Sequence, residues 1–207
     1  MRVIAGEFRS RKLKPVEGME TRPTPDRLRE SLFSILTPRI VGAVFVDAYA
    51  GTGAVGIEAL SRGAARVLFL ESSPVALRVI DDNLHSLGIG NRGSVHKGRV
   101  TSSLRKHCEG ASIVFLDPPY EVDAEYTDSL EWLGEHPAEL VVVQHHPKRV
   151  LKESYGALHR GREVKQGDNS LTFYECRDGS DLNPQIGSAT PESTPNSGVT
   201  LPNIRLS

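Results

Sequence analysis

The chain has 207 residues, 38% hydrophobic and 25% charged, with 25 Lys and Arg against 26 Asp and Glu for a net charge of −1. That length suits one medium domain with its own core; it excludes a wholly disordered or fibrous chain, and the total charge announces no polyanionic partner. Two cysteines without C-x-x-C spacing exclude a disulfide framework or zinc site, and no signal peptide or membrane span is visible, so a reduced, soluble, cytoplasmic protein without a metal site is expected.

In chain order, Val3-Ile4 and Lys12-Leu13 predict a short hairpin around Gly6. Thr24 caps a helix with Pro25 at its first position and Asp26 in its first turn. Leu28, Leu32, Ile35 and Leu36 share one face of that helix, and Pro38 is expected to stop it. Apolar strands then alternate with helical stretches. Strands are expected at 44–47, 66–71, 94–97, 113–117 and 140–144, and helices at 54–62, 74–87, 100–107 and 123–134. Ser73-Pro74 opens the second of these helices, and Gly63 and Gly88 close the first two. A closing hairpin is expected at 156–164 and 169–176. This alternation predicts an α/β fold, a doubly wound, mostly parallel sheet.

From Asp178 onward, 18 of 30 residues are Pro, Gly, Ser, Thr or Asn, with no aromatic and no Lys, so 178–207 reads as a disordered tail. Charge is uneven as well. Residues 1–39 hold nine basic groups against five acidic, a net of +4, leaving −3 for 40–177 and −2 for the tail. The basic excess centres on Arg2, Arg9, Arg11, Lys12 and Lys14. On charge alone this is a solvated edge, because five basic residues in 14 is not an extreme cluster; a phosphate-contacting face is the sharper reading.

The first chemical motif is Asp47-Ala-Tyr-Ala-Gly-Thr-Gly53, between the first internal strand and a helix start. Gly51, Gly53 and Gly56 satisfy G-x-G-x-x-G, where glycine lets a ligand approach the backbone and the helix offers unpaired N–H groups. Glu71 ends the next strand, 20 residues after Gly51, where an acid takes ribose hydroxyls. A nucleoside cofactor follows. Asp47 would repel a pyrophosphate and favour a ligand carrying an ammonium and a sulfonium, which points to S-adenosylmethionine over a dinucleotide.

The second is Asp117-Pro-Pro-Tyr120, directly after an apolar strand and so at the carboxyl edge of the sheet. Pro118 and Pro119 stiffen the turn and leave nearby carbonyls free as acceptors. A carboxylate and such a carbonyl can take both hydrogens of an exocyclic amine, and Tyr120 offers a face for a flipped base.

Here the chain resembles the bacterial 16S ribosomal RNA guanine-N2 methyltransferases, the ribosomal small-subunit methyltransferase D family, over residues 1–177. The matching stretches include Arg2–Gly6, Arg11–Leu13, Thr21–Thr24, Asp26-Arg27, Arg29-Glu30, Asp47–Gly53, Glu58–Ala64, Asp117–Tyr120 and Gly167-Asp168, of which 21–30 and Glu58–Ala64 are the most family-specific. The resemblance implies a class I methyltransferase fold that binds S-adenosylmethionine. It also implies methylation of a guanine N2 amine in 16S rRNA, within assembled or partly assembled 30S subunits, by a monomer. It implies that Asp47, Ala48, Gly51, Gly53 and Glu71 bind the cofactor and that Arg22 and Thr24 close its pocket. Asp117, Pro118, Pro119 and Tyr120 would hold the base, and the basic residues of 1–39 would meet RNA phosphates. Two departures stand out. The chain has Gly98-Arg99 where the family has Gly-Asp, and Gln144-His145-His146 where it tends to Glu-His. Neighbouring strand residues face opposite ways, so the two histidines make a poor metal pair.

Three rivals share some features. A DNA adenine-N6 or cytosine-N4 methyltransferase would use the same Pro-Pro-Tyr logic but needs a target-recognition domain. An NAD-dependent dehydrogenase explains the glycines alone, and a silent RNA-binding module explains neither motif.

Overall fold

A computed structural model describes residues 1–16 and 25–176. Helix α1 (Asp26–Ile40) precedes a strict alternation: β1 (Val44–Ala48), α2 (Ala54–Ser61), β2 (Arg66–Glu71), α3 (Pro74–Leu87), β3 (Gly93–Lys97), α4 (Val100–His107), β4 (Ile113–Leu116), α5 (Asp123–Glu135) and β5 (Leu140–His145). Three strands close the chain: β6 (Ser154–Tyr155), β7 (Leu158–Gln166) and β8 (Asn169–Cys176). All eight form one sheet in the order β3-β2-β1-β4-β5-β8-β7-β6. The first five are parallel, and β8, β7 and β6 extend them antiparallel. This is the doubly wound, mostly parallel α/β sheet the alternation predicts. Only β6 was not expected, since two residues are too few to show a period.

The central strands β1, β4 and β5 are buried on both faces, which is why they read as continuous apolar runs. Phe45, Phe69, Phe115 and Val142 pack on one side with α1, α2 and α3. Val46, Leu70, Val114 and Val143 pack on the other with α4 and α5. Strand order reverses between β1 and β4, so a crevice opens outside their carboxyl ends, where α/β sheets bind ligands.

Two local expectations need correction. Helix α1 runs through Pro38 to Ile40 instead of stopping at the proline. Near the helix end a proline forfeits a single backbone bond; the Thr37 hydroxyl donates to the Phe33 carbonyl there (2.8 Å), and Ile40 is buried. Pro25 stands just before the helix and its carbonyl accepts from the Leu28 and Arg29 N–H groups; Thr24 lies outside the described residues.

The N-terminal segment folds as a short hairpin: Arg2 bridges Lys12 antiparallel, the Val3 N–H donates to the Arg11 carbonyl (2.9 Å), and the Leu13 N–H donates to that of Met1 (3.1 Å). Other backbone groups of the segment are satisfied by α2. Ile4 and Ala5 N–H groups donate to the two oxygens of buried Glu58 on α2 (2.7 and 3.0 Å), and Phe8 N–H donates to the Ser61 hydroxyl (3.0 Å). Ser61 returns a bond to the Ala5 carbonyl (2.6 Å), while Val3, Phe8 and Leu13 are buried in the core. The segment is therefore a strap across α2. Buried Arg29 adds a bond to the Arg2 carbonyl (2.9 Å).

Candidate active site

Strand β1 delivers Asp47 and Ala48, both buried, to the crevice. The loop then turns into α2 at Gly53, whose φ of 75° is left-handed backbone that favours glycine. Gly56 allows α2 to lie close on β2, since a Cβ there would fall 2.3 Å from the Phe69 ring. Asp47 accepts the Gly56 N–H (2.8 Å). Burial pushes its carboxyl up to about 8; the Gly56 bond opposes this, and the nearby charges of Asp117 and Glu71 add to it. Glu71 is buried and accepts three backbone N–H groups, from Gly51 (2.9 Å), Ser72 (2.7 Å) and Ser73 (2.8 Å). It thus organises the glycine loop as well as facing the crevice, a role the motif alone does not reveal.

Between these residues sits Tyr49, with a left-handed φ of 65°. Such backbone is unfavourable for a bulky residue and persists where surrounding bonds impose it. Here the Tyr49 hydroxyl donates to Glu125 on α5 (2.6 Å), and burial raises its ionisation above the ordinary phenol value, so it stays a donor. Arg99, at the departure from the family pattern, pairs with Glu125 (3.3 Å) and Asp128 (3.7 Å).

The Asp117–Tyr120 turn follows β4. Asp117 N–H donates to the Ala48 carbonyl (3.3 Å), tying the two motifs together. Pro118 is buried, Pro119 exposed, and Asp117 and Tyr120 half-buried. The Tyr120 hydroxyl donates to Asn169 (2.7 Å) beside the β7–β8 turn. A brace missed by sequence reading holds the turn from beneath. The buried Tyr126 hydroxyl lies 3.0 Å from the Pro118 carbonyl and 3.3 Å from that of Gln144, both acceptors. The Arg149 guanidinium stacks 4.0 Å from the Tyr126 ring centroid and donates to the Tyr120 carbonyl and to Asp123. The Pro118 carbonyl thus already accepts one bond and keeps a second lone pair. Beside Tyr120 a cavity of about 440 Å³ is lined by Asp123, His146, Lys148, Arg149 and Val150. A larger one, about 600 Å³, lies between α3 and β3 and contains none of these site residues.

Three carboxylates, Asp47, Glu71 and Asp117, thus interact in one crevice, with Asp47 and Glu71 bonded to backbone N–H groups. Carboxyl groups concentrated in this way fit a ligand bearing an ammonium and a sulfonium, whose charge would favour the ionised form of Asp47. Arg22 and Thr24, expected to close the pocket, lie outside the described residues. All five basic strap residues are exposed; Arg11 donates to the Ser86 carbonyl (3.0 Å) and Lys14 pairs with Asp82 (2.9 Å). His145 is buried, its ring nitrogens 2.9 Å from the His146 carbonyl and 2.8 Å from the Thr172 hydroxyl, and burial lowers its pKa; it is a satisfied core histidine. Among the described residues no cluster of His, Cys, Asp or Glu suits a metal ion, and no helix is long and apolar enough to cross a membrane.

Comparison with known proteins bears on this geometry. The family model described as Conserved hypothetical protein 95 matches residues 1–175. Protein YlbH of Bacillus subtilis (strain 168) is 34% identical over 185 residues, 86% of this chain and 100% of that protein. Ribosomal RNA small subunit methyltransferase D of Escherichia coli (strain K12) is 41% identical over 120 residues, 58% of this chain and 60% of that protein. Among solved structures, yhhF from Escherichia coli superposes with a TM-score of 0.74 at 32% identity, covering 85% of this chain and 97% of that one. The chain therefore belongs to the Conserved hypothetical protein 95 family, the class I S-adenosylmethionine-dependent methyltransferases that include ribosomal RNA small subunit methyltransferase D.

Proposed function

We propose that the protein methylates the exocyclic N2 amine of a guanine in 16S rRNA, on an assembled or partly assembled small subunit, acting as a cytoplasmic monomer. The observation that carries this reading is the pair of acceptors at the switch point: the Asp117 carboxylate, and the Pro118 carbonyl with one lone pair left beside Tyr126. The printed name of the Escherichia coli relative supports the RNA substrate.

Asp47, Ala48, Gly51, Gly53 and Glu71 would hold the cofactor, with Arg22 and Thr24 covering it. When bound, S-adenosylmethionine supplies an electrophilic methyl group. The work left to the chain is orientation. Asp117 and Pro118 would accept the two amine hydrogens and fix the direction of the nitrogen lone pair, Pro119 would stiffen the turn, and Tyr120 would stack on the base. One hydrogen on N2 is exchanged for a methyl group, and Asp117 would receive the proton. Arg2, Arg9, Arg11, Lys12 and Lys14 would meet phosphates, with the strap as an RNA-facing extension of the catalytic body at 40–177.

Replacement of Asp117 by Ala should lower turnover on small subunits by roughly 100-fold or more while cofactor affinity holds. Methylation by that variant at the wild-type rate would remove Asp117 from the chemistry.

A further inference from the structure

We infer that Gln144 is the specificity-determining residue of this site: its side-chain carbonyl accepts the ring N1–H adjacent to the target amine and so selects guanine. This rests on the guanine-N2 reading above and names a residue that reads the base itself.

The register places Gln144 beside the acceptors. β4 and β5 run parallel with Leu116 opposite Val143, so Asp117 and Gln144 are the next pair along. Residues two apart on a strand share a face. Phe115 and Val142 pack in the core cluster that also holds Phe45, so Asp117, Gln144 and Asp47 leave β4, β5 and β1 toward that same side. From the other side of the sheet the Tyr126 hydroxyl joins the two segments, 3.0 Å from the Pro118 carbonyl and 3.3 Å from that of Gln144.

The side chain is 3% exposed, yet its Oε1 has no hydrogen-bond partner among the described residues. The orientation of the amide follows from its neighbours. Nε2 lies 3.4 Å from the Tyr120 hydroxyl oxygen and 3.5 Å from Asn169 Oδ1. The Tyr120 hydrogen is committed to Asn169 (2.7 Å), so both oxygens face Gln144 as acceptors. With Asn169 Oδ1 accepting from Tyr120, reversing the Gln144 amide would set oxygen against two acceptors, which leaves Oε1 the unpartnered end. A buried amide oxygen with no donor is an unfavourable arrangement in a folded protein, and a ligand donor relieves it.

Guanine supplies that donor. Its N1–H and N2 amine hydrogens are contiguous, so a site holding the amine with Asp117 and Pro118 needs one further acceptor alongside. Adenine carries no hydrogen on N1 and cytosine none on N3; either would present a lone pair to Oε1. A buried acceptor that goes unpaired with the wrong base discriminates far more strongly than a shape difference.

The test uses small subunits lacking the modification, with the target guanine intact or replaced by 2-aminopurine, which keeps the amine but lacks N1–H. Wild type should prefer guanine strongly. Gln144→Met, close in shape without an acceptor, should lose on the order of 10- to 100-fold in kcat/KM on guanine and little on 2-aminopurine, so the preference collapses. Gln144→Leu should behave alike, and Gln144→Glu, which restores an acceptor, should restore the preference. Calorimetric cofactor binding unchanged in each variant identifies folded protein. Wild-type preference retained by both Met and Leu variants would overturn the role of Gln144 alone. Absence of N2-methylguanosine from wild-type reactions would overturn the guanine reading and this inference together.

Discussion

Asp47 is half of a motif that any reader of G-x-G-x-x-G would notice, yet its chemistry depends on its surroundings. Burial holds its carboxyl at about 8, so at neutral pH the cofactor-free protein keeps a proton there that an exposed aspartate would lose. A cationic ligand favours the ionised form and must displace that proton. Cofactor affinity should therefore rise with pH, by up to about tenfold per unit, and level off above about 8. Calorimetry in buffers of different ionisation enthalpy should detect close to one proton released per cofactor bound near pH 7, and Asp47→Asn should abolish the release. The same shift has a stability consequence. The folded carboxyl titrates above the unfolded value of about 4, so the folded state binds more protons between those limits, and the contribution of Asp47 to stability falls as pH rises from about 4 to about 8. Thermal melts should show Asp47→Asn gaining on wild type as pH rises across that window; a pH-independent difference would contradict the assignment. The residue types of the candidate site, Asp47, Glu71 and Asp117 to Tyr120, were legible in the sequence because each stands at or just beyond the carboxyl end of an apolar strand. Their partners were not. Glu71 bonded to three N–H groups, Tyr49 held at positive φ, and the Tyr126–Arg149 brace all depend on loop conformation and on residues distant in the chain.

Among the elements, α2 carries two duties. Its buried face packs on β2, and its Glu58 and Ser61 hold the N-terminal strap. This gives a physical account of Glu58 and Ser61 within the Glu58–Ala64 stretch, which the family resemblance singles out. Glu58 is fully buried, bonded to two backbone N–H groups and paired with Arg62 (2.7 Å). Glu58→Ala should lower stability by roughly 2–4 kcal/mol, since three half-buried donors lose a charged acceptor together. Protease digestion should then remove the N-terminal strap before the sheet unfolds. Arg149→Ala tests the other device, the brace under the Asp117–Tyr120 turn. Loss of the bond to the Tyr120 carbonyl should lower kcat about tenfold and leave cofactor affinity intact. Element positions were well predicted because the apolar strands are regular and their helices begin and end at Pro and Gly. The miss at Pro38 within α1 arises where tertiary burial, here of Ile40, outweighs local preference.

At the scale of the whole molecule, the net charge of −1 is the sum of unlike parts, +4 in residues 1–39, −3 in 40–177 and −2 beyond. Of the basic strap residues, Arg11 and Lys14 are engaged with α3, while the side chains of Arg2, Arg9 and Lys12 are exposed and make no ion pair among the described residues. Of the five residues proposed to meet phosphates, those three would do so without giving up a bond within the described residues. Changing all three to Glu should weaken binding to small subunits, reduce the slope of log affinity against log salt by roughly 2 to 3, and leave the melting temperature nearly unchanged. The expected tail, 178–207, lies outside the described residues. The most direct measurement of the central claim incubates small subunits that lack the modification with this protein and methyl-labelled S-adenosylmethionine, then resolves the nucleosides of the 16S rRNA. The account predicts label in N2-methylguanosine, at one position, and none in duplex DNA offered in parallel. Label in a methylated adenine or cytosine, in the DNA, or in no nucleic acid would contradict it.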